Sequence, residues 1–355
     1  MRTVLVLPIL CLAAAAAFAE DPLVVIAANR AGRIHIYDQA LNHEGTIGVN
    51  PMLESVSPSP DGHKLYLVQE SRGECCGVYT LVMENLHMCS AGWPVMAAVA
   101  SPDGHGVFVQ GKDYASSYDT EVSWRTPNLK GVYNLQPSPN GNWLLAIANT
   151  PKPVVVVADM KGNKPQRTIE IPIGPATGAW AGNTFYLFAY AAPGTGRLWK
   201  VDPEEARLTD PKDLPLPDLH GDCDRPVPLM VMGAPDKLLL AEVFGQKLDR
   251  RSACPDAATD GIYGFQASTA RPAFAAPGVH VNRMAVTRDG KDIFVISSDS
   301  AEHRGELRLM HIDGHSGRIG NSATLEPGEW NLAVTRMPAA FIPHGYVRAA
   351  ISCAR

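Results

Sequence analysis

The densest group of polar side chains in the sequence lies between residues 218 and 225. Three carboxylates and one imidazole fall within seven of these residues, and such groups can ligate a divalent cation or orient a polar substrate. The spacing does not match an EF-hand, and acidic residues with glycine also suit a solvated loop, which is the preferred interpretation. Metal content and cofactors stay open. The residues concerned are Asp218, His220, Asp222, Asp224 and Arg225.

A second charged group, Asp249, Arg250 and Arg251, lies in the long stretch 244–261. This stretch and residues 213–228, which hold the first group, are the longest departures from an internal repeat. Extra connection length is more readily explained by recognition than by folding. We therefore expect the two groups to face each other and to bind a protein partner or a small polar ligand.

Six cysteines follow residue 19, and their number predicts disulfides. An exported chain meets nothing that keeps thiols reduced, so an even count indicates pairing. The sequence contains no Cys-x-x-Cys pair typical of zinc sites and no Cys-x-x-Cys-His motif for covalent haem. The six are Cys75, Cys76, Cys89, Cys223, Cys254 and Cys353.

Position along the chain suggests how these cysteines pair. Cys223 and Cys254 lie one in each long stretch, so we expect a bond between them that pins the two stretches together. Cys89 is expected to bond one member of the vicinal pair Cys75-Cys76 across a hairpin. Cys353 then takes the other member or stays free.

A repeated turn motif determines which elements position these residues. Ser-Pro-Asp-Gly or Ser-Pro-Asn-Gly occurs at 59–62, 101–104 and 138–141, each time before a short β-rich apolar run. Weaker copies follow near Gly182, Asp236, Asp289 and Met337. Each copy reads as a tight hairpin turn that feeds a buried strand. Seven copies, about 40 to 50 residues apart, predict an all-β, seven-bladed β-propeller with four-stranded blades.

A second marker gives the same count and suggests how the ring closes. A β-run that ends on an acidic or equivalent residue, as in 34–38, also occurs seven times and marks the third strands. The chain after residue 19 opens with a second strand, Leu23 to Ala27, so Trp330 to Thr335 should supply the missing inner strand. The tail Ala339 to Arg355 is surplus to that count and should pack on a face or add to the closing blade. A pair of β-sandwiches is the alternative.

Helical and membrane-spanning interpretations fail on composition. The chain has 29 prolines, 31 glycines and only 19% charged residues, which excludes long amphipathic helices. Its formal net charge is −5 without a basic run, so nucleic acid is not an expected partner. After the N-terminal region no apolar stretch approaches spanning length.

The N-terminus predicts export. Arg2 precedes an apolar run, Val4 to Ala17, and Ala17-Phe18-Ala19 has the small residues that signal peptidase requires. We therefore predict a cleaved signal peptide at 1–19 and one propeller domain at 20–355, in the periplasm or secreted.

The first repeat resembles a known family. Val24–Asn29, Arg33–Asp38, Gly45–Val49 and Ser57–Gly62 together look like one YVTN-type β-propeller repeat. Such repeats occur in surface-layer proteins, in lactonases and in the heavy subunits of periplasmic quinone-dependent amine dehydrogenases. The resemblance implies the fold, and it assigns no catalytic residue.

Three functions remain open at this point. The absence of a nucleophile elbow, a Walker loop and a dinucleotide fingerprint favours a binding or scaffold module that uses its long-loop face. The alternative is a heavy subunit without a cofactor in an amine dehydrogenase-like complex. A lactonase-like hydrolase, with carboxylates and a metal around the channel, is the third option.

Overall fold

The protein is known from a computed structural model that describes residues 20–351, apart from 72–73, 91–94, 96, 105, 112–113, 119–131, 149–152, 163, 174–175, 193–194, 217–228, 243–260 and 299–305. These residues form seven small, mainly antiparallel sheets arranged as a ring of blades. One short 3₁₀ helix, Ala339–Phe341, is the only helical element in the described ranges. The predicted seven-bladed β-propeller is confirmed, and the alternative of two sandwiches is wrong.

The blades are numbered in chain order from β4 onward. Blade 7 combines strands from near the N-terminus with a strand from near the C-terminus. Its strands from the channel outward are β27 (Trp330–Arg336), β1 (Leu23–Asn29), β2 (Arg33–Asp38) and β3 (His43–Gly48). Blade 1 has β4 (Leu53–Pro58), β5 (Lys64–Ser71), β6 (Glu74–Val82) and β7 (His87–Ser90). Blade 2 has three described strands, β8 (Ala97–Ala100), β9 (Val107–Gln110) and β10 (Ala115–Tyr118).

The remaining four blades each have four described strands. Blade 3 has β11 (Val132–Pro137), β12 (Trp143–Ala148), β13 (Val154–Asp159) and β14 (Arg167–Glu170). Blade 4 has β15 (Ala176–Ala181), β16 (Thr184–Ala192), β17 (Thr195–Asp202) and β18 (Arg207–Pro215). Blade 5 has β19 (Leu229–Ala234), β20 (Lys237–Glu242), β21 (Gly261–Gln266) and β22 (Arg271–Pro277). Blade 6 has β23 (Val281–Val286), β24 (Asp292–Ser298), β25 (Leu307–Asp313) and β26 (Ile319–Leu325).

The repeated motif forms the turn from the first to the second strand of a blade. In blade 1, Ser59 Oγ donates to Asp61 Oδ1 at 2.5 Å, and the same carboxylate accepts from the His63 N–H at 3.1 Å. Gly62 ends the turn with a φ of 70°, where a side chain would be strained. These bonds satisfy the backbone locally, so the sequence motif alone specifies the hairpin.

The core lies between the blades. Seven clusters of buried apolar residues are found, each contributed by two neighbouring blades. Leu67 of blade 1, for example, packs in one cluster with Ile26 of blade 7, whereas its neighbour Tyr66 packs toward Val107 of blade 2. Alternate residues of a strand point to opposite faces, so each blade buries both of its faces against neighbours.

Both ends of the ring contribute to blade 7. β27 pairs antiparallel with β1 over seven residues, from Leu23 opposite Arg336 to Asn29 opposite Trp330. The segment after β27 then crosses to the outer edge of the ring. There β28 (Gly345–Arg348) pairs parallel with β3, and β29 (Ala350–Ile351) pairs parallel with β7 of blade 1. The surplus tail thus adds a fifth strand to the closing blade and another to its neighbour, and residues 338–351 are called the strap below.

Candidate functional site

The ligand-binding residues predicted from the sequence lie outside the described part of the chain. The residues numbered 218 to 225 lie between β18 of blade 4 and β19 of blade 5, and those numbered 249 to 251 lie between β20 and β21 of blade 5. In a four-stranded blade, the connection from the fourth strand to the next first strand and the connection from the second to the third strand lie on one face. We call this the upper face. Outside the described ranges are Asp218, His220, Asp222, Asp224, Arg225, Asp249, Arg250 and Arg251, as well as Cys223, Cys254 and Cys353.

The first of these connections is shorter than the sequence predicted. β18 continues to Pro215, and Asp213 is paired in register with Arg197 of β17. Arg197 Nε and Nη2 donate to Asp213 Oδ1 at 2.9 and 2.8 Å. The ladder therefore includes Asp213, and the departure from the repeat begins after the buried Leu216.

Arg30 joins three segments at the inner edge of the upper face. It follows β1, and its guanidinium pairs with Glu54 of β4 at 3.1 Å and with Glu329, just before β27, at 3.0 Å. Its backbone N–H donates to the Glu329 carbonyl at 3.0 Å, and its carbonyl accepts from the Met52 N–H at 2.7 Å. The pair with Glu54 holds blades 7 and 1 together where the inner strands begin, and the pair with Glu329 lies within blade 7.

Arg283 lies on the neighbouring inner strand β23, and it is largely buried. Burial lowers the pKa of its guanidinium, and the negative charge of Glu329 opposes that effect. Its Nη1 donates to the Asn282 carbonyl at 2.9 Å, the one acceptor of this side chain in the described part of the chain. A guanidinium carries five N–H donors and stays charged in proteins. Arg283 therefore has donors to offer to an anionic oxygen.

Three of the seven innermost strands contain a one-residue bulge near this end. The unpaired residues are Glu54 on β4, Asn134 on β11 and Asn282 on β23. Asn134 joins blades 3 and 4, because its Nδ2 donates to Thr177 Oγ1 at 3.1 Å and to the Gly178 carbonyl at 2.9 Å. The Asn282 Oδ1 is buried and has no hydrogen-bond partner among the described residues. Bulges re-aim side chains and are frequent beside active sites.

These groups lie at the upper ends of the inner strands of blades 1, 3, 6 and 7, and we call this set the channel mouth. Two arginines and two glutamates balance in charge, and two asparagines add neutral donors and acceptors. Within the described ranges, Arg283 has unused N–H donors, and the Asn282 Oδ1 has no donor. A ligand that carries an anionic oxygen beside a hydroxyl or an N–H group would satisfy both residues. The channel mouth consists of Arg30, Glu54, Asn134, Asn282, Arg283 and Glu329.

The sequence interpretation missed all six of these residues. A ring of inner strands brings together positions that are hundreds of residues apart, and no local motif records that approach. One signal was present: a polar residue precedes the repeated turn by four or five positions in three blades. Glu54 precedes Ser59, Asn134 precedes Ser138, and Asn282 precedes Thr287 in this way.

A pair of histidines lies on the side of blade 7 that packs against blade 6. His35 Nδ1 lies 3.4 Å from His43 Nε2, and the Thr46 hydroxyl lies 3.0 Å from each of these nitrogens. Burial, then the neighbouring His43, lowers the pKa of His35, so the imidazole is neutral at pH 7. Across the described ranges, no three His, Cys, Asp or Glu side chains are grouped to hold a metal ion. The pair is therefore a hydrogen-bonded element of the blade interface.

Comparison with proteins of known structure shows the fold. No protein-family model matches the sequence, and no curated protein sequence matches it significantly. The periplasmic gluconolactonase PpgL of Pseudomonas aeruginosa is similar in structure at 14% identity, with a TM-score of 0.60 over 89% of this chain and 100% of that chain. A putative 6-phosphogluconolactonase of Bacteroides uniformis gives 13% identity and a TM-score of 0.59 over 88% and 100%.

An enzyme of different chemistry has a similar structure. Hydrazine synthase of Kuenenia stuttgartiensis gives 14% identity and a TM-score of 0.53 over 74% of this chain and 77% of that chain. These neighbours are β-propeller proteins, and at such identities the likeness concerns the fold alone. The YVTN-type resemblance therefore stays a prediction. No helix in the described ranges is both long enough and apolar enough to span a bilayer.

Proposed function

We propose that this protein is an exported binding or scaffold module whose upper face holds a protein or small polar partner at the channel mouth. The observation that carries the proposal is Arg283, a partly buried cation near Glu329 with one hydrogen-bond acceptor in the described chain, a backbone carbonyl, beside the unpartnered Oδ1 of Asn282. A buried charge is costly unless a partner compensates it. A carboxylate or another anionic oxygen of a ligand would supply that compensation.

The predicted loop residues extend this site in the proposal. Asp218 to Arg225 and Asp249 to Arg251 belong to connections that start and end on the upper face. They would form a charged rim around the mouth, and a Cys223–Cys254 bond would lower the ordering cost of binding.

Export supports this assignment. The leader-type pattern of residues 1–19 predicts transfer out of the cytoplasm. The structurally similar PpgL is described as periplasmic. A site that relies on disulfides also suits an oxidising compartment.

Replacement of Arg283 tests the proposal. Wild type, Arg283→Gln and Arg318→Gln would be purified under native conditions from the exported fraction and analysed by native mass spectrometry for bound molecules and proteins. Arg318 is an exposed arginine of the same blade, before β26 and on the opposite face, so it serves as the matched control. Because a hydrogen bond to a charged group contributes about 1.5–3 kcal/mol, occupancy should fall roughly tenfold or more in Arg283→Gln only.

The outcomes separate the candidate functions. Unchanged occupancy in an Arg283→Gln protein that melts like wild type would contradict the proposal, as would wild type that carries no partner. A small quinone-bearing subunit among the partners would favour the amine dehydrogenase-like alternative. Lactonase activity is not proposed, because the lactonase neighbours share only the fold at 13–14% identity.

A further inference from the structure

The only cysteine side chain in the described part of the chain belongs to Cys89, on the outermost strand of blade 1. It is disulfide-bonded. The side chain is exposed, whereas its neighbour Met88 is buried. Its bonding partner must therefore approach from the outer rim of the ring.

Backbone register excludes the vicinal cysteines as that partner. In the β6–β7 ladder, Cys89 lies opposite Thr80. Cys76 is four residues further along β6, which at about 3.3 Å per residue places it about 13 Å along the strand from Thr80. Disulfides join Cα atoms no more than about 7 Å apart. Cys75 is one residue further still, so the hairpin bond that the sequence suggested does not fit this pairing.

The cysteines of blade 5 are also remote. Cys223 and Cys254 lie in connections whose flanking strands, β18 to β21, belong to blades 4 and 5. Blades 6 and 7 separate blade 5 from blade 1 in one direction around the ring, and blades 2 to 4 separate them in the other. A bond from either cysteine to Cys89 would have to cross two or more blades.

The strap leads toward Cys353 along the outer edge of blade 1, where Cys89 lies. β29 runs parallel to β7, with Ala350 opposite His87 and Ile351 opposite Met88. Cys353 follows Ile351 by two residues, a span of at most about 7 Å. Adjacent strands are about 4.8 Å apart. Cys353 can therefore reach Cys89, the residue after Met88.

We propose that Cys89 and Cys353 form a disulfide that fastens the strap to blade 1. Each Sγ–H loses its proton, the Sγ–Sγ bond forms, and two electrons pass to the disulfide of a thiol–disulfide oxidoreductase, which is left as a dithiol. The bond joins the last strand of the ring's strap to the first complete blade. It therefore links the end of the strap covalently to blade 1, beside blade 7, which β27 and β1 close with hydrogen bonds.

Peptide mapping tests the linkage directly. Exported protein would be alkylated without reduction and digested with trypsin and a glutamate-specific protease. Cleavage after Glu84 separates Cys75 and Cys76 from Cys89, and cleavage after Arg348 releases Ala349–Arg355 with Cys353. The Cys353 peptide should be disulfide-linked to the peptide that begins at Asn85 and should shift on reduction. A Cys89 peptide linked to Cys75 or Cys76, or a Cys353 peptide recovered alkylated, would overturn the proposal.

Variants give a second, independent readout. Cys89→Ser, Cys353→Ser and the double variant should each lower the melting temperature by the same amount, on the order of 5 °C, because one bond is lost in all three. Proteolysis should cut the strap faster in each. Additive losses in the double variant would mean that the two cysteines bond to different partners and would overturn the proposal. The mapping of wild type decides the question even where a variant fails to fold.

Discussion

The carboxylate of Asp289 organises the turn between β23 and β24. Thr287 Oγ1 donates to Asp289 Oδ1 at 2.7 Å, and the Lys291 N–H donates to the same oxygen at 3.1 Å. The hydrogen bond from Thr287, followed by the bonds from Lys291, lowers the pKa of this carboxyl to about 2, against the opposing effect of burial. Blade 3 has the same turn with Ser138 and the neutral Asn140.

Asp289→Asn should make the stability of the protein less dependent on pH. The folded pKa is depressed, so the carboxylate stabilises the fold above the unfolded pKa of about 3.9, and this contribution is lost as the pH falls toward 2. Because the side chain is half exposed, we expect a difference in unfolding free energy of under about 1 kcal/mol at pH 7. Urea unfolding from pH 7 downward measures it.

The turn of blade 3 supplies the reverse experiment. Asn140→Asp places a carboxylate in the same set of hydrogen bonds and should introduce the pH dependence that Asp289→Asn removes. A difference between wild type and Asp289→Asn that stays constant from pH 7 to pH 3 would contradict the assignment.

The turn residues could be predicted from the sequence, whereas the channel mouth could not. Asp61, Asn140 and Asp289 bond to groups within two residues, so their role is visible in the motif itself. Arg30 and Glu329 are 299 residues apart and meet only because the ring closes. The bulge at Asn282 depends on the register of β23 against β24, which the apolar pattern of the strand does not encode.

At the scale of the strands, the position of the strap requires that it packs closely against two glycines of β3. A Cβ at Gly45 would lie 2.0 Å from the Pro343 carbonyl oxygen, which is backbone and cannot turn away. A Cβ at Gly48 would instead meet the Tyr346 side chain at 2.2 Å, and that side chain is 66% exposed and free to move. Neither glycine has a positive φ.

Gly45→Ala should release β28 from blade 7, and Gly48→Ala should leave it in place. Amide hydrogen exchange of Gly345–Arg348 should be faster by about tenfold or more in Gly45→Ala, because parallel pairing with β3 is what protects these amides. Equal exchange rates in the two variants would show that the strap is held by its side chains alone. The disulfide proposed above predicts that the strap stays tethered to blade 1 even in Gly45→Ala.

The sequence indicated the four regular strands of a blade but not the fifth. Strands such as β13 have the apolar run and bounding turns that predict a buried strand. The strap residues 345–348 are mostly exposed and show no such pattern, since they pair only along one edge. Their position follows from the free edge of β3, which is a property of the folded ring.

At the scale of the whole molecule, the contacts that close the ring include a close approach between blade 1 and the end of β27. Gly62, in the first turn of blade 1, has a φ of 70°, and a Cβ there would lie 2.1 Å from the Arg336 carbonyl at the end of β27. Gly141 occupies the same place in the turn of blade 3 with a φ of 69°, and nothing lies within 4 Å of its Cβ position. The two glycines have the same backbone conformation, and Gly62 alone contacts the end of β27.

Gly62→Ala should therefore destabilise the protein more than Gly141→Ala. Both variants strain the backbone by about 1 kcal/mol, and only Gly62→Ala also displaces the end of β27, at a further cost of about 1–3 kcal/mol. Urea unfolding with a single cooperative transition would report this difference. Equal destabilisation of the two variants would mean that the closing strand contributes no more to stability than any other contact between blades.

The number of blades was predictable because the repeat is counted directly in the sequence, from Asp61 to Met337. The sequence did not show which neighbouring blade each buried side chain contacts. Both faces of a blade are apolar, and alternate side chains of one strand pack in two different clusters. Tyr66 and Leu67 show this division in adjacent positions.

The pairing of β1 with β27 also sets the order of events during biosynthesis. β1 is the first strand of the ring to be made, and its inner partner ends at Arg336. At about 5–20 residues per second, roughly 15 to 60 s of translation separate the two strands. Throughout that interval one edge of blade 7 has no partner, and an unpaired edge of this kind is where strands of other chains add. A chaperone that shields this edge until the last strands are made would therefore have its largest effect in that window.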